Sequence, residues 1–293
     1  MPHHPLYRFT HVGRPVDPQY PTNLAILVLM PLAGLAGALS QWFAGAPLGL
    51  VAAWFLLGGL AVFLTWALGR ELAPDDNPAA FIAVVLVAPL LVLGVNLDLH
   101  ALAVALMLTR VVNRTVGPPA KLSDLVFTLG LVLTLVILRM CWPLALVAAL
   151  ALWWDSRLLD ANPRARAFSA VAIVAAMITL SIDLGPTPEP EALTLCCDEL
   201  MTRLLVAAGV IAALFGLVTA AQSTPVSKCD IVDWPLSRER VQAGMLTTLL
   251  VTIAVTVWHL RGDDPSRALM TAPLWLTMTG VVIGRVIGWA RGQ

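Results

Sequence analysis

Long uncharged apolar runs constrain this chain more than any other feature. After Asn23 the sequence continues LAILVLMPLAGLAGALSQWFA with no charged residue. About 20 such residues in a helix cover the ~30 Å hydrocarbon core of a bilayer. A membrane β-strand would instead alternate apolar and polar residues over ~10 positions. Here the runs are continuous, so they are read as helices. Ten segments qualify: 23–43, 48–68, 79–97, 98–114, 123–141, 142–158, 167–184, 202–221, 242–259 and 269–288. The predicted fold class is therefore all-α, a polytopic transmembrane helix bundle of about ten spans.

Two of these segments are short. The run from Leu99 to Thr109 reaches full length only by including Arg110 and Arg114, and the run from Trp142 to Trp154 only by including Asp155 to Leu158. Long arginine side chains can snorkel to the headgroups, and Trp153 and Trp154 suit an interfacial belt. Both segments are expected to cross, with a re-entrant hairpin as the alternative.

Composition removes whole function classes. Charged residues make up 12% of the 293 and hydrophobic residues 59%, against a charged share of about 25% in soluble domains. The 18 basic and 18 acidic residues cancel, so no net field would attract a polyanion. A soluble globular enzyme, a disordered chain and a nucleic-acid-binding domain are excluded.

Lysine and arginine set the expected orientation. With ten spans, one side collects Arg8, Arg14, Arg70, Arg110, Arg114, Lys121, Arg157, Arg164, Arg166, Lys228, Arg238, Arg240, Arg285 and Arg291. The other collects Arg139, Arg203, Arg261 and Arg267. Both termini are thus expected to be cytoplasmic, in a bacterial inner membrane. Residues 1–22 read as a cytoplasmic tail without packed structure, 23–288 as the transmembrane domain and 289–293 as a cytoplasmic end. No cleavable signal peptide is legible in the first 21 residues.

The first six spans form three hairpins, each returning to the cytoplasm at an arginine: Arg70, Arg110 and Arg157. RELAPDDNPAAF at 70–81 and RLLDANPRARAF at 157–168 look alike. Asn-Pro is a common turn and helix-entry dipeptide, so shared turn chemistry is preferred to an internal repeat.

Few residues suggest chemistry. Topology sorts Cys141, Cys196 and Cys197 to the outer side, where Cys141 could bridge to Cys196 or Cys197. No Cys-x-x-Cys exists for redox work. His100, His259 and Asp98 lie at one outer level, but no metal-ligand spacing joins them, and no metal or cofactor is assigned. No ionisable residue falls near mid-span, which lowers the case for an ion-coupled transporter. Gly34, Gly37, Gly58 and Gly59 suit close helix packing. Thr248, Thr252 and Thr256 share a helix face, where hydrogen bonding back to the helix is the commoner use.

The richest polar cluster is cytoplasmic: Arg70, Glu71, Asp75, Asp76, Arg110, Arg114, Asp155, Arg157 and Asp160. Were these loops to converge, arginines could hold a phosphate and carboxylates a Mg²⁺ through it. The acid spacing does not match that of UbiA-type prenyltransferases, nor is a CDP-alcohol phosphotransferase motif present. The leading expectation is a non-catalytic accessory or assembly component, with membrane lipids and other membrane subunits as partners. The alternatives are an enzyme acting on a lipid or isoprenoid phosphate at the cytoplasmic face, and an uncoupled carrier of a small amphiphile.

Overall fold

A computed structural model describes residues 5–184, 199–261 and 265–291. Ten α-helices occur among the described residues, one in each apolar segment. They are α1 (Pro21–Phe43), α2 (Leu48–Leu72), α3 (Asn77–Val92), α4 (Leu99–Asn113), α5 (Leu122–Arg139), α6 (Trp142–Asp155), α7 (Ala165–Asp183), α8 (Glu199–Ala220), α9 (Arg238–Leu260) and α10 (Ala272–Ala290). Seven are long and apolar enough to cross a membrane. The other three, α3, α4 and α6, have 16, 15 and 14 residues. At 1.5 Å per residue they are about 21–24 Å long. The shortness of α4 and α6 follows their sequences. That of α3 departs from the 79–97 segment: the helix ends at Val92, and the chain turns through Gly94 at φ +67°. A positive φ costs glycine little and strains other residues.

Helix starts use local chemistry. Asp98 Oδ1 accepts from the Ala101 amide at 3.0 Å, and Asp76 Oδ1 from the Ala79 amide at 3.2 Å. Such caps satisfy amides that have no partner in the first turn. Proline opens α1, α3, α6 and α10, where its missing N–H costs nothing.

Helix ends sort onto two faces. On a charged face, the N-terminal tail, the α2–α3, α4–α5, α6–α7 and α8–α9 connections and the end of α10 gather, linked pairwise by ion pairs and hydrogen bonds. On the opposite face, the end of α1 meets that of α3, where Ser40 Oγ donates to Val92 O at 2.7 Å. The start of α4 meets the ends of α5 and α9, and the ends of α7 and α9 meet through Asp183 and Arg261. Successive helices therefore run antiparallel between the two faces.

The core centres on α4, ten of whose 15 residues are buried and none exposed, packed against α9, α2, α6 and α5. Small residues set the close approaches, as they do between helices that gain no hydrophobic force from lipid. A Cβ on Gly34 would stand 2.3 Å from the Phe55 carbonyl oxygen across the α1–α2 contact. On α10, Gly280 and Gly284 face Ala83 and Ala79 of α3 as closely. Threonines fill the polar needs of the interior. Thr109 and Thr248 share a hydrogen bond of 2.7 Å between α4 and α9, Thr256 meets Thr271 at 2.9 Å, and Thr252 bonds back to Thr248 O. All are buried, so α9 presents no polar groove.

The tail is not the unstructured segment expected from its sequence. Residues 5–20 lie across the α4–α5 connection. Lys121 Nζ donates to the Tyr7 and Arg8 carbonyls, the His11 amide donates to Asp124 Oδ2 at 2.8 Å, and Val12 is buried. The tail satisfies some of its backbone groups in its own turns, as where the Phe9 and Thr10 amides donate to Leu6 O, and the polar helix ends satisfy others.

Glycine contacts give a direct stability test. Gly34→Ala forces the α1 and α2 backbones apart and should cost about 1–3 kcal/mol. Gly130→Ala, with nothing within 4 Å, should leave stability equal or improved through helix propensity. Thermal unfolding of the two variants in one detergent checks this: Gly34→Ala should melt lower, Gly130→Ala should not.

Candidate functional site

The charged face is organised around two buried carboxylates. Glu71, in the last turn of α2, is fully buried. Arg110 Nε donates to its Oε1 at 3.1 Å and Arg14 Nη1 at 3.3 Å, while the Thr115 hydroxyl donates to Oε2 at 2.8 Å. Asn113 Nδ2 donates to the Glu71 carbonyl at 2.7 Å. Arg14 also reaches Asp230, with Nε–Oδ2 at 2.6 Å. Burial lowers the pKa of Arg14, but the Glu71 and Asp230 carboxylates outweigh that and raise it. One acid thus joins the tail, α2, α4 and the α8–α9 connection.

Asp155, at the end of α6, is the second. Arg114 Nε donates to its Oδ1 at 2.8 Å and Arg240 Nη1 at 3.1 Å. The excess positive charge is spread over carbonyls: Arg240 donates to Val112 O at 2.9 Å and Leu159 O, and Arg114 to the Asp155 and Asp160 carbonyls. Arg114 sits in the left-handed region at φ 54°, so the backbone bends to aim its guanidinium.

The other sequence candidates have separate tasks. Asp75 accepts from the Val226 and Ser227 amides at 3.0 and 2.8 Å and fastens the α8–α9 connection. Asp76 caps α3. Asp160 is exposed and contributes its carbonyl. Arg157 is exposed over the Trp153 ring. Arg70 donates to Asn23 Oδ1 at 3.2 Å and stands 5.3 Å from the Trp66 ring centroid. So the structure brings Glu71 together with Arg110, and Asp155 with Arg114. Asp75, Asp76 and Arg157 each meet other partners, in no shared acid–arginine centre.

Sequence reading missed Arg14, Asp230 and Arg240. A signal existed for Arg240: a cation in the first turn of a helix opposes the macrodipole and calls for a nearby anion. Arg14 and Asp230 are 216 residues apart, and nothing local in the chain links them.

An open cleft of about 1140 Å³ lies beside the Glu71 cluster, between the tail, the start of α1, the end of α2 and residues 229–233. Tyr7 stands in its wall, its phenol pushed up to about 12 by burial and by Asp230. Cys229 also lines it, and burial raises its thiol pKa, so it stays protonated at neutral pH.

On the opposite face, Asp98 pairs with Arg139 and accepts from His259 at 3.2 Å, and Trp258 Nε1 donates to the Arg139 carbonyl. His100 bonds the Leu131 carbonyl at 2.9 Å instead of joining them. Among the described residues no three His, Cys, Asp or Glu side chains gather as metal ligands would. Cys141 is buried, and the Cys196 and Cys197 of its proposed disulfide lie outside the described residues. No family model, curated protein or solved structure matches the chain.

Removing one partner of a buried charge cluster costs about 3–5 kcal/mol, because the other charges stay buried. Asp155→Asn strands Arg114 and Arg240 and should sharply lower both the melting temperature and the yield of folded protein. Asp160→Asn leaves the carbonyl contact in place and should be near neutral. Parallel purification and thermal unfolding would reveal an equal effect, which the assigned roles do not allow.

Proposed function

We propose that this chain is a ten-crossing integral membrane protein of a bacterial inner membrane, with both termini cytoplasmic. Its role is that of a non-catalytic accessory or assembly component of a larger membrane complex. The antiparallel order of the helices supports the crossing number, because each helix, including short α3, α4 and α6, runs from one face to the other. Of those three, α4 exposes no residue and α6 only Leu146 and Trp153, and a helix surrounded by protein need not match the hydrocarbon thickness by itself; α3 keeps an exposed side at Val85, Pro89 and Val92. The lysine and arginine asymmetry supports the orientation.

One observation carries the non-catalytic reading: four acids of the charged face, Glu71, Asp75, Asp76 and Asp155, are engaged in holding elements together. Glu71 and Asp155 are clasped by arginines, Asp75 fastens a connection, and Asp76 caps a helix. An enzyme acting on a lipid phosphate would need two such carboxylates free and facing one metal-bridged phosphate. Exposed Arg157, Arg164, Arg166, Lys228 and Arg238 instead offer a basic rim to other subunits or to anionic headgroups.

Two measurements test this. In a background lacking the four native cysteines, Ala161→Cys should resist an impermeant maleimide in intact cells, and Ala44→Cys should react. Reversal, or reaction at both, defeats the proposed topology. Mild solubilisation from native membranes should then yield a discrete assembly containing other polypeptides in fixed proportion. A solitary 31.3 kDa chain would defeat the accessory role.

A further inference from the structure

Among the described residues, one cation lining the open cleft on the charged face has no carboxylate in salt-bridge contact. Arg14 is held by Glu71 and Asp230, and Arg110 by Glu71. Arg70 has neither: its described contacts are the Asn23 side-chain oxygen and the Trp66 ring. A guanidinium over an aromatic face keeps most of its donors free and is weakly hydrated, which suits recognition of a planar or tetrahedral oxyanion. Trp66 lines the same cleft at 4% exposure, and its Nε1 has no acceptor among the described residues. A buried donor left unpaired costs free energy that an incoming acceptor recovers. The cleft wall thus holds the unclaimed positive charge of Arg70, and one of its lining residues, Trp66, keeps a buried unpaired donor.

Its setting suggests what the anion is attached to. Phe63 and Ala67 of α2 line the cleft beside Trp66 and Arg70. Leu24 and Leu27 of α1, flanking the Asn23 turn, are exposed, as a lipid-facing helix start would be. Polar donors thus sit at the end of an apolar helical hairpin. The acids present do not overturn the balance at Arg70. Glu71 and Asp230 are near enough to act on it through space, but Glu71 is paired with Arg14 and Arg110, and Asp230 with Arg14. Asp233 is paired with Lys228 at 2.8 Å, and Asp17 Oδ1 accepts from the Gln19 amide at 2.9 Å, within its own turn.

We propose that this cleft binds a phosphate oxyanion through Arg70, with Asn23 and Trp66 shaping the site. The inference goes beyond the accessory role and does not depend on the number of crossings. The ligand is either the phosphate headgroup of an amphiphile or free phosphate, which share this chemistry.

Calorimetric titration of the full chain in a zwitterionic detergent tests it, with three probes: short-chain phosphatidic acid, short-chain phosphatidylcholine and inorganic phosphate. Phosphatidic acid should saturate a single site, phosphatidylcholine should not, and Arg70→Gln should weaken binding about tenfold or more, the loss expected for one charge-assisted contact. Arg157→Gln should change nothing. Equal affinity for inorganic phosphate, equally lost in Arg70→Gln, assigns the site to the free ion; stronger binding of phosphatidic acid assigns it to a lipid. If Arg70→Gln fails to fold, Asp17→Asn decides, because removing a nearby negative charge should hold or tighten phosphate binding. No saturable phosphate binding, binding indifferent to Arg70, or weaker binding in Asp17→Asn overturns the proposal.

Discussion

Burial of carboxylates at helix ends is the constraint on which the rest of this structure depends. A buried ionised acid is tolerated only when it is paired and hydrogen-bonded. Glu71 therefore draws in Arg14 and Arg110, and Asp155 draws in Arg114 and Arg240. These four arginines come from the tail, from α4 and its C-terminal edge, and from α9. Pairing thus fixes elements that hydrophobic packing alone would leave free to slide along one another. In a bilayer that matters more than in water, because lipid tails compete equally well for apolar helix surfaces.

The same pairing explains how a central helix as short as α4 is accommodated. Asp98 at its start and Arg110, Asn113 and Arg114 at its end leave only 11 residues between Asp98 and Arg110, nine of them apolar. Exposed to lipid, that length would thin the bilayer or drag charges into it. Here the polar termini are satisfied inside the protein: Asp98 by Arg139 and His259, Arg110 by Glu71, and Arg114 by Asp155. Longer helices such as α1, α7 and α8 carry more of the exposed apolar surface.

The helices were legible because each is written locally, in a mostly apolar run whose charges gather toward its ends. The early end of α3 was not, since Gly94 and Val95 are apolar and extend the hydropathy signal past the point where the backbone turns. The Arg70–Asp76 and Arg157–Asn162 stretches looked alike for turn-chemistry reasons, and their contacts differ: Asn162 is buried and donates to the Ala120 carbonyl, whereas Asn77 is exposed. The site was half legible. Glu71, Arg110, Arg114 and Asp155 stood out as ionisable residues at span ends. Their pairing did not, because Arg14, Asp230 and Arg240 arrive from positions set only by tertiary packing. The ordered tail was missed for the same reason: its proline-rich sequence forms no more than one 3₁₀ turn, Pro5–Arg8, and its partners, Lys121 and Asp124, belong to another element.

Buried arginines also bear on how the charge asymmetry should be read. Arg14, Arg110, Arg114 and Arg240 are committed to internal carboxylates, so their presence on one face follows from folding as much as from orientation. Setting aside every basic residue that is not exposed leaves Arg8, Arg157, Arg164, Arg166, Lys228, Arg238 and Arg291 on the charged face, against Arg203, Arg261 and Arg267 on the other. The excess survives, and it now rests on exposed residues, which are the ones the positive-inside bias concerns. Structure and orientation thus draw on different arginines of the same face. A substitution at Arg157 or Arg166 disturbs the second alone, whereas one at Arg114 or Arg240 disturbs the first.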